Sequence, residues 1–135
     1  MASTDTTIAG SKAAQISNMV VRVTSQYTGR GPTKARTYIN DDLVTVVLQD
    51  SLTKGERTLV AYDHRELVLS TRRAFQAAMQ TAFVAGIQEI LGRQVAAFLS
   101  ANHADPDYAI ELFILAPDAR AKLVIEHSEN LIAES

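Results

Sequence analysis

"GRGPTKARTYINDDLVTVVLQ", Gly29 to Gln49, decides the fold. Before it, Ile16, Met19, Val20, Val23 and Tyr27 recur at three- and four-residue spacing, which predicts an amphipathic helix from about Ser11 to Thr28. Gly29 stands where a helix end favours a left-handed residue, and Pro32 forbids continuation. The pattern then changes period. Ala35 to Ile39 and Leu43 to Gln49 read as two strands, the second rich in β-branched residues, with Asn40, Asp41 and Asp42 supplying the turn of a hairpin. On the first strand Lys34, Arg36 and Tyr38 share one face, and Ala35, Thr37 and Ile39 the other.

Downstream, Thr53 and Glu56 form a capping-box pattern for a short helix over Lys54 to Tyr62. Asp63 and Glu66 repeat it and open a long helix that stops at Gly92, with a stripe of Val68, Phe75, Met79, Ala82, Phe83, Gly86, Ile87 and Ile90. This stripe reads as a core face against a sheet rather than as a binding groove. Gln94 to Ser100 and Tyr108 to Leu115 read as a second hairpin joined by "ANHADP". The order α-β-β-α-α-β-β predicts an α+β fold, an antiparallel four-stranded sheet with helices packed on one face. Residues 1–10 are polar and read as a disordered N-terminal segment; residues 11–117 read as a single domain. In the tail, residues 118–135, Ala121, Val124, Ser128 and Leu131 stand at helical spacing.

Composition narrows the function classes. The chain has 135 residues, 47% hydrophobic and 21% charged, the balance of one globular domain. It has no cysteine, so neither a disulfide framework nor a thiolate metal site is open to it. A net charge of −2 argues against nucleic-acid binding driven by phosphate neutralisation. No apolar run approaches the ~20 residues of a membrane span, and no signal peptide is evident, so a cytoplasmic protein is expected, peripheral to a membrane only through a partner. The long helix, at about 43 Å, exceeds its strands of about 25 Å. Its apolar ends, Leu67 to Leu69 and Ile87 to Leu91, need cover from the first helix, the tail or a second subunit, which predicts a homodimer.

"GRGPTK" is not a P-loop, which needs G-x-x-x-x-G-K-[ST] between a strand and a helix. With Gly29, Pro32 and the Asn40–Asp42 turn explained, Arg30, Gly31, Thr33, Lys34 and Arg36 remain as a candidate anion- or partner-binding set. Gly31 would let backbone N–H groups line an anion nest, and Lys34 and Arg36 would converge on one carboxylate or phosphate. The ordinary alternative is a solvated cationic loop. "NHADPD" supplies a second candidate set, Asn102, His103, Asp105 and Asp107, readable as a weak metal site or an acid–base pair, and equally as turn chemistry. No nucleophile pattern stands out, so no catalytic residue, metal or cofactor is assigned. Arg72 and Arg73 read most simply as solvated, with an acidic partner for either as the alternative. If the first and third strands were neighbours, the two loops would meet in a mixed-charge site; if the first paired with the fourth, they would lie at opposite ends of the sheet.

Three stretches carry a family likeness: "ISNMVVRVTSQYTGRGPTKARTYINDDLVTVVLQDSLTKGERTLV", "TRRAFQAAM" and "FLSANHADPDYAIELFIL". Together they resemble the MpsC-like family over about residues 12–116, with "GRGPTKARTYI" and "NHADPD" the most specific pieces. The resemblance implies a small soluble accessory or regulatory component of a Na+-translocating, membrane-potential-generating system whose other parts resemble inorganic-carbon uptake machinery. It implies a membrane-protein partner and brings no established catalytic residues. A small-anion sensor built on the Gly/Arg/Lys loop is the alternative.

Overall fold

The structure, a computed structural model, describes residues 2–118, with side chains from Gly10 onward. Seven elements follow in the expected order: α1 (Ala2–Thr28), β1 (Lys34–Asn40), β2 (Leu43–Gln49), α2 (Lys54–Ala61), α3 (Arg65–Leu91), β3 (Val95–His103) and β4 (Tyr108–Leu115). Helix α1 begins ahead of the Ser11 start read from the sequence. Once the packed stripe has fixed a helix, each added residue gains a hydrogen bond without a new nucleation cost. The tail helix read from Ala121, Val124, Ser128 and Leu131 lies outside the described residues.

Local signals place the boundaries. Gly29, at φ 82°, closes α1 with its N–H on the Ser25 carbonyl, and Gly92, at φ 65°, closes α3 on Gln88. The α2 capping box is complete: Thr53 Oγ1 accepts from Glu56 N at 3.1 Å, and Glu56 Oε1 accepts from Thr53 N at 2.8 Å. Asp63 does not cap α3. His64 occupies that position without a side-chain cap bond. Asp63 instead ends α2 in the left-handed region, φ 68°, with its N–H on Val60 O and the His64 N–H on Leu59 O. Those two bonds are a Schellman closure, which satisfies the orphan carbonyls of α2 before α3 begins.

The sheet is antiparallel throughout, in the order β1-β2-β4-β3. Neither pairing considered for β1 occurs, with β3 or with β4. The most apolar strands, β2 and β4, take the centre, and the less apolar strands β1 and β3 take the edges, where one side of the ladder meets water. Helices α1 and α3 cover one face. Val44, Val46 and Leu48 of β2 and Ala109, Phe113 and Leu115 of β4 point into that layer and are buried with Ile16, Met19, Val20 and Val23 of α1 and Met79, Phe83 and Ile87 of α3. Phe83 meets Phe113 edge to face, centroids 6.5 Å apart. The core is therefore a single layer between two helices and a sheet.

The overhang of α3 is partly covered from within the chain. Its C-terminal end is overlaid by α1, where Lys12 Nζ donates to Ile90 O at 2.9 Å. At its N-terminal end Val68 is buried, while Leu67 stays 55% exposed. Helix α2 packs on this end of α3.

Candidate functional site

Register brings the two candidate loops to one end of the sheet. Lys34 pairs with Gln49, Gln49 with Tyr108, and Tyr108 with His103, so the approach to β1 and the β3–β4 turn lie at the same end of the sheet. They are joined by the segment that leaves β2, Asp50 to Leu52. Asp50, left-handed at φ 57°, accepts from Thr33 Oγ1 at 3.0 Å and pairs with Arg30 Nη2 at 2.9 Å and Arg57 Nη1 at 3.3 Å. The Thr33 hydrogen bond, aided by the charges of Arg30 and Arg57, holds its carboxyl below the usual carboxylate range. On the other side Asp107 Oδ2 accepts from Leu52 N at 2.9 Å and Oδ1 from Ser51 Oγ at 3.4 Å. Asp50 N also donates to Asp107 O at 3.3 Å.

This wiring divides the first candidate set. Arg30 and Thr33 are committed to Asp50. At Gly31 a Cβ would lie 3.2 Å from Val21 Cγ1 and 3.3 Å from Val21 O, so glycine permits close approach of the loop to α1. Lys34 and Arg36 remain. Both are exposed on the helix-free face of edge strand β1, and with Thr33, Tyr38, Val47 and Gln49 they line a pocket of ≈ 500 Å³. Tyr38, next on the same face, raises the Arg36 pKa through a side-chain hydrogen bond and its charge interaction.

The second set does not assemble either. Strand β3 runs on to His103, and the turn is only Ala104 to Asp107, with a cis Asp105–Pro106 bond. Asn102 and His103 are therefore strand residues facing opposite ways. Asn102 points toward α3, where its amide exchanges bonds with Gln76 at 2.8 and 3.1 Å. His103 Nδ1 bonds Pro106 O at 2.8 Å; a carbonyl only accepts, so Nδ1 carries the proton. Asp107 fastens backbone. Asp105 is exposed and, with Asp50, Arg57, Arg65 and Asp107, lines a second pocket of ≈ 450 Å³ beside α2.

A polar layer inside the core was not anticipated. Arg72, 4% exposed and not solvated, donates to Glu56 Oε2 at 2.8 Å, Glu56 Oε1 at 2.5 Å and Ser51 O at 2.5 Å. Four residues on, Gln76 Nε2 donates to Glu111 Oε1 at 3.0 Å, and Ser100 Oγ donates to Glu111 Oε2. Burial pushes the Glu111 carboxyl up to about 7, against the opposing pull of those two donors and of the Arg72 charge. The signal was present in the sequence: Val68, Arg72, Gln76, Met79, Phe83 and Ile87 form one continuous buried stripe. Likewise Glu111 alternates with Ala109 and Phe113 on the core face of β4.

The model of the family described as the Na+-translocating membrane potential-generating system (MpsC) matches residues 9–117. The chain belongs to the MpsC family. No curated protein and no solved structure matches it. The MpsC match takes in both loops, the Asp50 junction and all four strands, so the arrangement described above lies within the family region. Among the described residues no helix is long and apolar enough to cross a membrane.

Proposed function

We propose that this MpsC-family chain is an accessory or regulatory component of a Na+-translocating, membrane-potential-generating system, docking from the cytoplasm onto a membrane-embedded partner. The observation that supports this is the state of Lys34 and Arg36. They stand two residues apart on the open face of an edge strand, and neither forms an ion pair among the described residues. Such cations meet an acidic surface at little desolvation cost and set the rate and register of docking. The neighbouring Arg30 cannot serve, because Asp50 holds it.

Co-expression with membrane proteins encoded beside it, followed by purification in mild detergent, tests the reading. Recovery of a complex with the native chain and its loss with Arg36→Glu supports docking through β1. No complex under any mild detergent removes it. The homodimer expected from the length of α3 would draw on Tyr62 and Leu67, exposed at 75% and 55% where α2 meets α3. A monomer by light scattering at micromolar concentration would exclude it.

A second reading is favoured by the ≈ 500 Å³ pocket itself, in which Thr33, Lys34 and Arg36 would receive a small anion. Calorimetric titration with bicarbonate, phosphate and nucleotides decides it. A flat response at millimolar ligand eliminates the sensor.

A further inference from the structure

Helix α2 has no buried residue. One of its faces, Arg57, Val60 and Ala61 at positions i, i+3 and i+4, meets the ≈ 450 Å³ pocket instead of a packed core. Ala104 and Asp105 of the β3–β4 turn line the same pocket, and so does Leu52, where the chain leaves β2. Leu52 and Ala104 are buried and Val60 is half-buried, so part of the lining is apolar. The walls are held in place. Arg72 ties α2 to α3 through Glu56, and Asp107 ties the turn to Leu52 N at 2.9 Å. The closure of α2 on Val60 O and Leu59 O leaves Arg65, the first residue of α3, in the lining. A preformed concavity between about 300 and 1,000 Å³ is the ordinary setting of a small-molecule site.

The charges in this lining are not all committed. Asp50 pairs with Arg57 at 3.3 Å, and Asp107 holds Leu52 N and Ser51 Oγ. Arg65 and Asp105 remain. Both are exposed, they carry opposite signs, and among the described residues neither forms an ion pair, with the other or with any third group. Two opposite charges on one cavity would close on each other if they could reach. Left apart, they are neutralised together only by an occupant that carries a cation and an anion of its own. Other ligand classes fit less well. A phosphate or a nucleotide would meet the carboxylates of Asp50, Asp105 and Asp107. A bare metal ion would find only Asp105 uncommitted, and no group of three or more metal-ligating side chains occurs among the described residues. The apolar part of the lining calls for an apolar body between or beside the two charges.

We propose that the pocket between α2 and the β3–β4 turn binds a free α-amino acid with an apolar side chain, its carboxylate on Arg65, its ammonium on Asp105 and its side chain on Leu52, Val60 and Ala104. Arginine takes the carboxylate through its planar fork, and burial of the side chain supplies the apolar share of the affinity. The site lies beside α2 and uses neither Lys34 nor Arg36, so it holds whether or not docking through β1 does.

Calorimetric titration of the full chain with L-leucine, L-valine and L-phenylalanine, at neutral pH and low ionic strength, tests the site. Saturable binding of at least one is expected. For L-leucine, the N-acetyl derivative lacks the ammonium and the amide derivative lacks the carboxylate, and each is expected to bind about tenfold or more weakly. Glycine, without the apolar side chain, should also bind more weakly. Arg65→Gln and Asp105→Asn change exposed side chains, so the fold is not at stake. Each is expected to weaken L-leucine by about tenfold or more, and Asp105→Asn should leave N-acetyl-L-leucine unaffected. Arg73→Gln removes an exposed cation of α3 outside the pocket and is expected to change nothing. No saturable response to the three amino acids up to about 10 mM removes the site. N-acetyl-L-leucine binding as well as L-leucine overturns the proposal and leaves an anion site on Arg65. An equal loss with Arg73→Gln also overturns it, because general charge rather than the pocket would then be at work.

Discussion

Arg72 and Glu56 hold α3 to α2 through a two-point contact, Nε to Oε2 at 2.8 Å and Nη2 to Oε1 at 2.5 Å, with side chains only 5% and 13% exposed. The same Glu56 closes the α2 capping box, and the same Arg72 satisfies the Ser51 carbonyl. One buried pair thus sets the helix start, the helix junction and the exit of β2. Arg72→Ala strands a carboxylate and a carbonyl away from water and is expected to cost about 3–5 kcal/mol. Arg72→Lys recovers only part, because an ammonium cannot make the planar fork. Urea midpoints at unchanged m measure both. A loss below about 1 kcal/mol for Arg72→Ala would place the pair among surface ion pairs of little worth.

Glu111 makes stability depend on pH. Its folded pKa is raised from 4.5 to about 7 by burial. The folded state therefore binds its proton more tightly than the unfolded chain does. The resulting stabilisation is full below pH 4.5, declines as pH rises, and is lost above about 7. A shift of this size amounts to about 3 kcal/mol. Glu111→Gln keeps an acceptor for Gln76 and offers a donor to Ser100 without a charge. It is expected to match the native chain at pH 5 and exceed it at pH 8. Urea denaturation at the two pH values reads this directly, and equal native stability at both would refute the assignment.

Helix ends, turns and strand periods were legible because each is written within a few residues: Thr53 with Glu56, Gly29, Gly92, and the alternation from Leu43 to Gln49. Strand order was not, because it depends on which strands lose least by lying at the edge, a comparison across the whole chain. Asp63 was misread for a related reason. An acidic residue before a helix resembles a cap whether it opens that helix or closes the one before it. The candidate site suffered most. Proximity in "NHADPD" suggested one cluster, but strand parity sends Asn102 inward and His103 outward. Gln76 was passed over, and Arg72 read first as solvated, because polar residues were assumed to leave an apolar stripe, when here they continue it against partners from α2, β3 and β4.

Asp107 offers a test of structural against chemical use of the second loop. Its carboxylate fastens Leu52 N and Ser51 Oγ, joining the β3–β4 turn to the segment that carries Asp50. Asp107→Ala is expected to cost about 1–3 kcal/mol through the stranded Leu52 N–H, and Asp107→Asn less, since an amide oxygen still accepts. Thermal melts of the two variants give the ranking. An unchanged melt for Asp107→Ala would free this carboxylate for a ligand role.

The α1–α3 crossing sets the last prediction. A Cβ on Gly86 would lie 2.6 Å from Met19 Sδ and 2.8 Å from both Met19 Cε and Cγ, and Met19 is itself 4% exposed with Val20 and Val23 on the same helix face. Gly86→Ala gains about 1 kcal/mol of helix propensity but forces Met19 out of a packed position at a cost of about 1–3 kcal/mol. The net is expected to be a loss. Met19→Ala alone leaves a cavity, and the cavity is where the new methyl would go. The double variant should therefore be more stable than the sum of the single effects, with a coupling of about 0.5–3 kcal/mol. Four chemical denaturation curves close the cycle. Additivity within error would mean that the two helices adjust their separation freely and that glycine at position 86 does not set it.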